Sequence, residues 1–180
     1  MAKVRTATLG DAAAVAAIYE PYVRDTAISF EEVAPSPEEM RRRIEKTLSD
    51  YPFLVFEDAG TVVAYAYASP RAERAAYRWS CDVAIYVALQ VHRHGIGRML
   101  YAALLEILNR QGIHSVYAGI ALPNEKSVGL HEAMGFRHLG AFHEVGFKHG
   151  AWCDVGWWQQ VIANGPPAGE PIPFAALCKG

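Results

Sequence analysis

The run from Cys81 to Leu108, CDVAIYVALQVHRHGIGRMLYAALLEIL, leaves a chain few ways to fold. Val83, Ile85 and Val87 alternate with Asp82, Ala84 and Tyr86, the period of a strand. The β-branched residues therefore take one face, and Asp82 and Tyr86 share the other. From Ile96 the period lengthens to that of a helix: Ile96, Met99, Leu100, Ala103, Leu104, Ile107 and Leu108 make one apolar stripe. Between the two stand Gly95 and Gly97, with Arg93, His94 and Arg98 around them. A glycine turn feeding a helix collects free backbone N–H groups at the positive end of the helix dipole, a seat for pyrophosphate. An ordinary strand–helix turn uses glycine as well, so these residues alone leave both readings open.

The chain around this segment is long enough for one sizeable core, at 180 residues. Half of it is apolar (52%) and a fifth charged (20%), as in a globular domain. The formal charge of −2, with no long run of one sign, argues against nucleic acid as a main partner. No apolar run approaches the length of a membrane span, and MAKVRTATLGD lacks the apolar core of a secretory signal. Cys81, Cys153 and Cys178 are odd in number, far apart and without a CxxC pair. They read as reduced thiols of a cytoplasmic protein, and their spacing supports no zinc site.

In order, residues 3–8 suit an edge strand. Asp11 suits the N-cap of a helix carrying Val15, Ile18 and Tyr22 and ending near Arg24 or Asp25. The loop TAISFEEVAP exposes Phe30. Ser36-Pro37-Glu38-Glu39 is a capping box with proline at the first helical position. PFLVFE and TVVAYAYAS form a hairpin about Asp58-Ala59-Gly60. After the central helix come the strand HSVYAGIA, a short helix from about Glu125 to Met134, and two antiparallel strands joined at Lys148-His149-Gly150. The order β-α-α-β-β-β-α-β-α-β-β predicts a mixed α/β sheet with helices on both faces and parallel pairing around the central crossovers. Residues 1–163 read as a single domain, and 164–180 as a proline- and glycine-rich tail.

His92-Arg93-His94-Gly95-Ile96-Gly97 resembles the acyl-CoA pyrophosphate loop of the GNAT acetyltransferase superfamily. The run Asn124-x-x-Ser127-x-x-Leu130-His131-x-x-Met134-Gly135-Phe136 resembles the motif that follows it there. More narrowly, the stretch from Tyr19 to about Gln160 resembles the phosphinothricin N-acetyltransferase family. The pieces that carry this are YPFLV (51–55), RAAYRW (74–79), LPN (122–124), LHEAMGF (130–136) and GFKHGAWCDV (146–155). The resemblance implies a mostly antiparallel central sheet with one parallel, splayed pair of strands. It also implies acetyl transfer from acetyl-CoA to the amine of a small amino acid such as phosphinothricin, methionine sulfoximine or methionine sulfone. A homodimer and a reaction without metal are implied as well.

The resemblance further distributes roles. Backbone groups from Arg93 through His94, Gly95, Ile96 and Gly97 to Arg98 would hold the pyrophosphate. Ile85, Tyr86 and Val87 would line the acetyl and pantetheine arm, with Asn124 and Ser127 beside it. An ammonium is no nucleophile, so a proton acceptor is required. The family's carboxylate, usually glutamate, falls on Asp82. The bland alternative is a strand-end carboxylate paired with Arg74 or Arg78. His131 stands where many relatives keep a tyrosine that protonates the leaving thiolate; a core histidine is its plain reading. Arg74 and Tyr77 would grip the acceptor's acid, and Phe30 would wall its pocket. Ala72 replaces a lysine that the family sometimes has, which leans the acceptor towards a neutral sulfone or sulfoximine. Trp152, Trp157, Trp158 and Phe147 suit core or dimer contacts. Two rivals share the fold: a protein or peptide acetyltransferase with an acidic groove supplied by Glu31 and Glu32, and a non-catalytic acyl-CoA-binding module.

Overall fold

A computed structural model, describing residues 2–91 and 95–178, gathers the alternating segments into one seven-stranded sheet. The strands are β1 (Lys3–Thr6), β2 (Phe53–Asp58), β3 (Thr61–Pro70), β4 (Ser80–Val87), β5 (Ser115–Leu122), β6 (Arg137–Lys148) and β7 (Ala151–Val161). The helices are α1 (Ala12–Asp25), α2 (Pro37–Asp50), α3 (Ile96–Arg110), α4 (Glu125–Ala133) and the short α5 (Phe174–Leu177). The strands lie in the order β1-β2-β3-β4-β5-β7-β6. Every neighbouring pair is antiparallel except β4 and β5.

Local chemistry explains the elements. Ser36 Oγ accepts from the Glu39 N–H at 3.1 Å and Pro37 opens α2. The reciprocal half of that capping box gives way to ion pairs, because the Glu39 carboxylate takes Arg42 and Arg43 instead. Asp11 stands at the head of α1 but does not cap it with its side chain. Its carboxylate instead accepts from Arg5 and from the Thr8 N–H, tying β1 to the helix. The β2–β3 hairpin turns on Ala59 and Gly60, and the β6–β7 hairpin on His149 and Gly150. All four residues have positive φ, the twist that two-residue hairpins prefer.

The sheet has a core on each face. Against one, α3 buries Ile96, Leu100, Tyr101, Leu104 and Leu108 on Ala66, Val83, Val116 and Trp158. Tyr101 replaces Met99 in the expected stripe, and Met99 stays about half exposed. Against the other, α1 and α2 set Val15, Tyr19, Met40 and Ile44 on Phe53, Val55 and Tyr65. The sheet's alternation assigns Asp82, Ala84 and Tyr86 to this second face, as the sequence predicts, since Tyr86 pairs edge-on with Tyr19 and Tyr22.

The second crossover differs from expectation. α4 carries the chain from β5 to β6, but β7 folds back between them and pairs with both. The tight turn at His149-Gly150 and the length of β6 and β7 let this hairpin insert as a unit. Among the described residues only one parallel pair results, and it is short: Ser80↔Ser115, Cys81↔Val116 and Asp82↔Tyr117. Beyond Asp82, β4 follows β3 as far as Val87 and β5 follows β7 as far as Leu122, so the sheet opens into a V.

The tail is docked. Gln111 Nε2 donates to the Ile172 carbonyl at 2.7 Å and the Ile172 N–H donates to the Gln111 carbonyl at 2.8 Å. Phe174 of α5 is 4% exposed.

Candidate active site

The V between β4 and β5 is the feature from which a site can be built. Where two strands part, each keeps unpaired backbone groups, and such groups need a partner. On β4 the groups that face the gap belong to alternate residues, Val83, Ile85 and Val87, while those of Ala84 and Tyr86 turn towards β3. One is already met: the Tyr22 hydroxyl donates to the Val87 carbonyl at 2.5 Å. The gap continues into a groove of about 410 Å³, lined by Ile85, Val87, Ile120, Asn124, Ser127 and His131 among others. Val83, Ile85, Ala118 and Ile120 make it apolar, as a thioester's carbon chain requires.

α3 begins beside this groove. Gly95 has φ +100°, a backbone conformation that glycine adopts without strain, and its carbonyl accepts the first helical bond, from the Met99 N–H at 3.0 Å. The N–H groups of Ile96, Gly97 and Arg98 precede that bond and form the open end of the helix. Gly97 is needed for a second reason: a Cβ there would lie 2.8 Å from Leu130 Cδ2 of α4. The glycine thus lets α4 close on the head of α3. Arg93 and His94, the other expected pyrophosphate residues, lie outside the described residues.

Asp82 sits at the apex of the V, on the last paired rung of β4 and β5. Its partner is neither Arg74 nor Arg78. Arg71 Nη1 donates to its two oxygens at 3.1 and 3.3 Å. Arg78 turns away to Glu170 and lies over Trp79. Arg74 is exposed, with no side-chain hydrogen bond or ion pair among the described residues, and Tyr77 is 46% exposed. Burial pushes the Asp82 carboxyl up to about 6 against the opposing pull of Arg71. A carboxylate titrating there is mostly ionised at neutral pH and more basic than an exposed aspartate.

His131 lies in α4, 3% exposed. Its Nδ1 lies 2.7 Å from the Ser127 carbonyl, which can only accept, so Nδ1 carries the proton. Burial holds the ring's pKa down, so it is neutral near pH 7 and Nε2 accepts from the Tyr101 hydroxyl at 2.8 Å. The expected lone proton donor is therefore one half of a buried His131–Tyr101 pair. Asn124 caps α4, its Oδ1 accepting from the Ser127 N–H at 3.2 Å.

On the Asp82 face, Tyr67 and Ser69 of β3 stand opposite Ala84 and Asp82. They also line a cavity of about 300 Å³ beneath α2, with Tyr51, Phe53, Tyr65 and Arg43. Phe30 rests on Gly146 of β6, where a Cβ would meet its ring at 2.3 Å. With Tyr19, Tyr86 and Gly119 it lines a shallow recess near the V. Glu31, which an acidic peptide groove would use, is bound by both Arg43 nitrogens at 2.7 and 3.0 Å.

Two residues of this site carry no sequence signal of their own period. Tyr101 falls inside an apolar helix face, and only its need for a hydroxyl partner marks it. Arg71 becomes visible only when the β3–β4 register places the end of β3 beside Asp82.

A parting pair of parallel strands, a helix N-terminus beside the gap and a carboxylate at its apex are what the resemblance to an acyl-CoA-dependent acetyltransferase implies. The chain belongs to the GNAT acetyltransferase family: the acetyltransferase (GNAT) domain model matches residues 4–157. It is 40% identical over 158 residues to a phosphinothricin N-acetyltransferase of Streptomyces viridochromogenes, covering 88% of this chain and 86% of that protein. It is 31% identical over 157 residues to an L-methionine sulfoximine/L-methionine sulfone acetyltransferase of Salmonella typhimurium, covering 87% and 92%. Among solved structures, a phosphinothricin acetyltransferase from Sinorhizobium meliloti in complex with AcCoA superposes with a TM-score of 0.90 at 32% identity, covering 97% of each chain.

Proposed function

We propose that this chain transfers the acetyl group of acetyl-CoA to the amine of a small amino acid, the class that includes phosphinothricin, methionine sulfoximine and methionine sulfone. The observation that carries this is the splay itself: it opens at Asp82 and its groove reaches the head of α3. The curated relatives, which act on such amino acids by name, support the acceptor class.

Acetyl-CoA supplies an activated thioester carbonyl. We assign its pyrophosphate to the backbone of residues 93–98, Gly95, Ile96, Gly97 and Arg98 being the described part, and its arm to Ile85, Tyr86, Val87, Asn124 and Ser127. The free backbone edge of β4 and the apolar groove fit that arm. Asp82 takes a proton from the acceptor's ammonium, and the freed nitrogen lone pair attacks the thioester carbon. The C–S bond breaks, and the excess proton on the acylated nitrogen is taken up by the departing thiolate, which leaves as the CoA thiol. His131 and Tyr101 act there as a unit: as charge builds on the sulfur, the Tyr101 hydroxyl turns its one O–H from His131 Nε2 to the sulfur. Phe30, Arg74 and Tyr77 belong to the acceptor's side of the site. The reaction needs no metal. Residues 1–163 form the catalytic unit, with the tail as a brace.

Leu139, Phe142, Val145, Phe147 and Trp152 are each more than half exposed along the β6–β7 hairpin. An apolar face of this kind supports a homodimer, checked by sedimentation with and without Trp152→Ser. The free thiols of Cys81, Cys153 and Cys178 support a reducing compartment, the cytoplasm. Thiol release from acetyl-CoA across a panel of amino acids and sulfones tests the reaction. CoA binding without release by any amine would sink it.

A further inference from the structure

Arg71 has more donors than Asp82 uses. Only Nη1 reaches the carboxylate; Nη2 and Nε have no partner among the described residues, leaving most of a five-donor fork unspent. Its carbon lies 4.1 Å from the Trp157 ring centroid and 4.8 Å from that of Tyr117. Two rings against the guanidinium fix its plane. The cluster is open as well: the side chains of Arg71 and Asp82 keep 28% and 31% of their surface exposed. Beside it are further donors. Tyr117 accepts from Gln159 Nε2 at 2.8 Å, so its own O–H is free, and the buried Trp157 Nε1 has no partner among the described residues.

We propose that Arg71 is the residue that binds the acceptor's α-carboxylate, exchanging its bond to Asp82 for one to the substrate as the amine takes its place on Asp82. This rests on the amino-acid acetyltransferase reading above. The argument is one of reach. In an α-amino acid the carboxyl carbon is two bonds from the amine nitrogen, whereas a side-chain acid lies several carbons further out. A nitrogen on Asp82 therefore brings the carboxylate to the cation already bonded to Asp82, and the unspent Nη2 and Nε match a carboxylate's two oxygens. Arg74, exposed on the turn before β4, makes no hydrogen bond or ion pair with Asp82 among the described residues. Without an acid, Arg71 stays on Asp82 and holds part of its basicity in check. An amine lacking the carboxylate meets a base still paired. Arg71 thus selects amino acids over simple amines, whatever their side chain.

The test compares an amino-acid acceptor with its methyl ester, using methionine sulfone as the pair, in wild-type enzyme and in Arg71→Gln, Arg71→Lys and Arg74→Ala. Wild type should prefer the acid. Arg71→Gln should raise KM for the acid about 10- to 100-fold, the loss of a charge-assisted pair, while leaving KM for the ester within about twofold, and Arg71→Lys should recover part of the preference. Equal losses on acid and ester, or a preference removed by Arg74→Ala and kept in Arg71→Gln, overturn the proposal. If wild type acetylates neither compound nor any other amino acid, the underlying acetyltransferase reading fails instead. Circular dichroism of each variant separates loss of fold from loss of recognition: should Arg71→Gln unfold, Arg71→Lys decides alone, with a preference equal to wild type counting against the proposal.

Discussion

Asp82 shows how a single residue acquires a function from its surroundings. Burial lifts its carboxyl to about 6 while Arg71 works against the lift. The ionised form is the base, so activity should rise with pH through about 6 and fall below it as the carboxylate takes up a proton. A pH profile of kcat/KM should show that acid limb in wild type and lose it in Asp82→Asn, with a rate lower by about 10²- to 10⁴-fold. Tyr101 offers the complementary case on the leaving-group side. Its hydroxyl is held by His131 Nε2 at 2.8 Å inside the groove. Removing that hydroxyl in Tyr101→Phe should lower kcat about 10- to 100-fold, the worth of a hydrogen bond to a charged sulfur. KM for both substrates should stay near wild type. An unchanged kcat would make Tyr101 a packing residue only.

At the scale of elements, the ties between segments matter more than the segments. β1 is only four residues long, and Arg5 anchors it by donating to Asp11 at 2.7 and 2.8 Å and to Glu57 at 2.7 Å. Arg5 and the Thr8 bonds hold the Asp11 carboxyl down at about 2, below its ordinary 3.8. A depressed carboxylate stabilises the fold above the unfolded pKa, and that contribution fades as pH falls from about 4 to about 2. Asp11→Asn should therefore cost about 2 kcal/mol in urea titrations at pH 7. The same substitution should cost much less near pH 2. Similarly, α3 and α4 approach because position 97 is glycine, and the β6–β7 hairpin meets the loop after α1 where Gly146 admits Phe30. Lys148 secures that meeting, its ammonium donating to the Val23 and Ser29 carbonyls, each at 2.6 Å.

For the molecule as a whole, the tail is a structural part rather than an appendage. It crosses the end of α3 through Gln111, receives the Trp79 indole N–H on the Gly169 carbonyl at 2.9 Å, and plugs Phe174 against the body. Phe174→Ala should cost about 3 kcal/mol, as emptying a buried aromatic site does. Thermal unfolding of that variant should fall by several degrees, while KM for acetyl-CoA stays unchanged because the groove lies at the other end of α3. A rise in KM for acetyl-CoA or a drop in kcat without a drop in stability would contradict this division of labour.

The strand at 80–87, the helix after Gly95, the face that Asp82 shares with Tyr86 and the capping of α2 are all local, and local period and capping chemistry made them legible from the residues alone. So was the GNAT resemblance, because its motifs are contiguous. Tertiary structure decided what local period cannot encode. It placed β7 between β5 and β6, since strand order depends on which edge a hairpin finds. It brought Arg71 rather than Arg74 or Arg78 to Asp82, since only the β3–β4 register aligns the end of β3 with that carboxylate. It joined Tyr101 to His131 across two helices, and it docked a tail whose composition reads as loose. Each is a contact between segments distant in sequence, set by the packing of whole surfaces rather than by any one stretch of the chain.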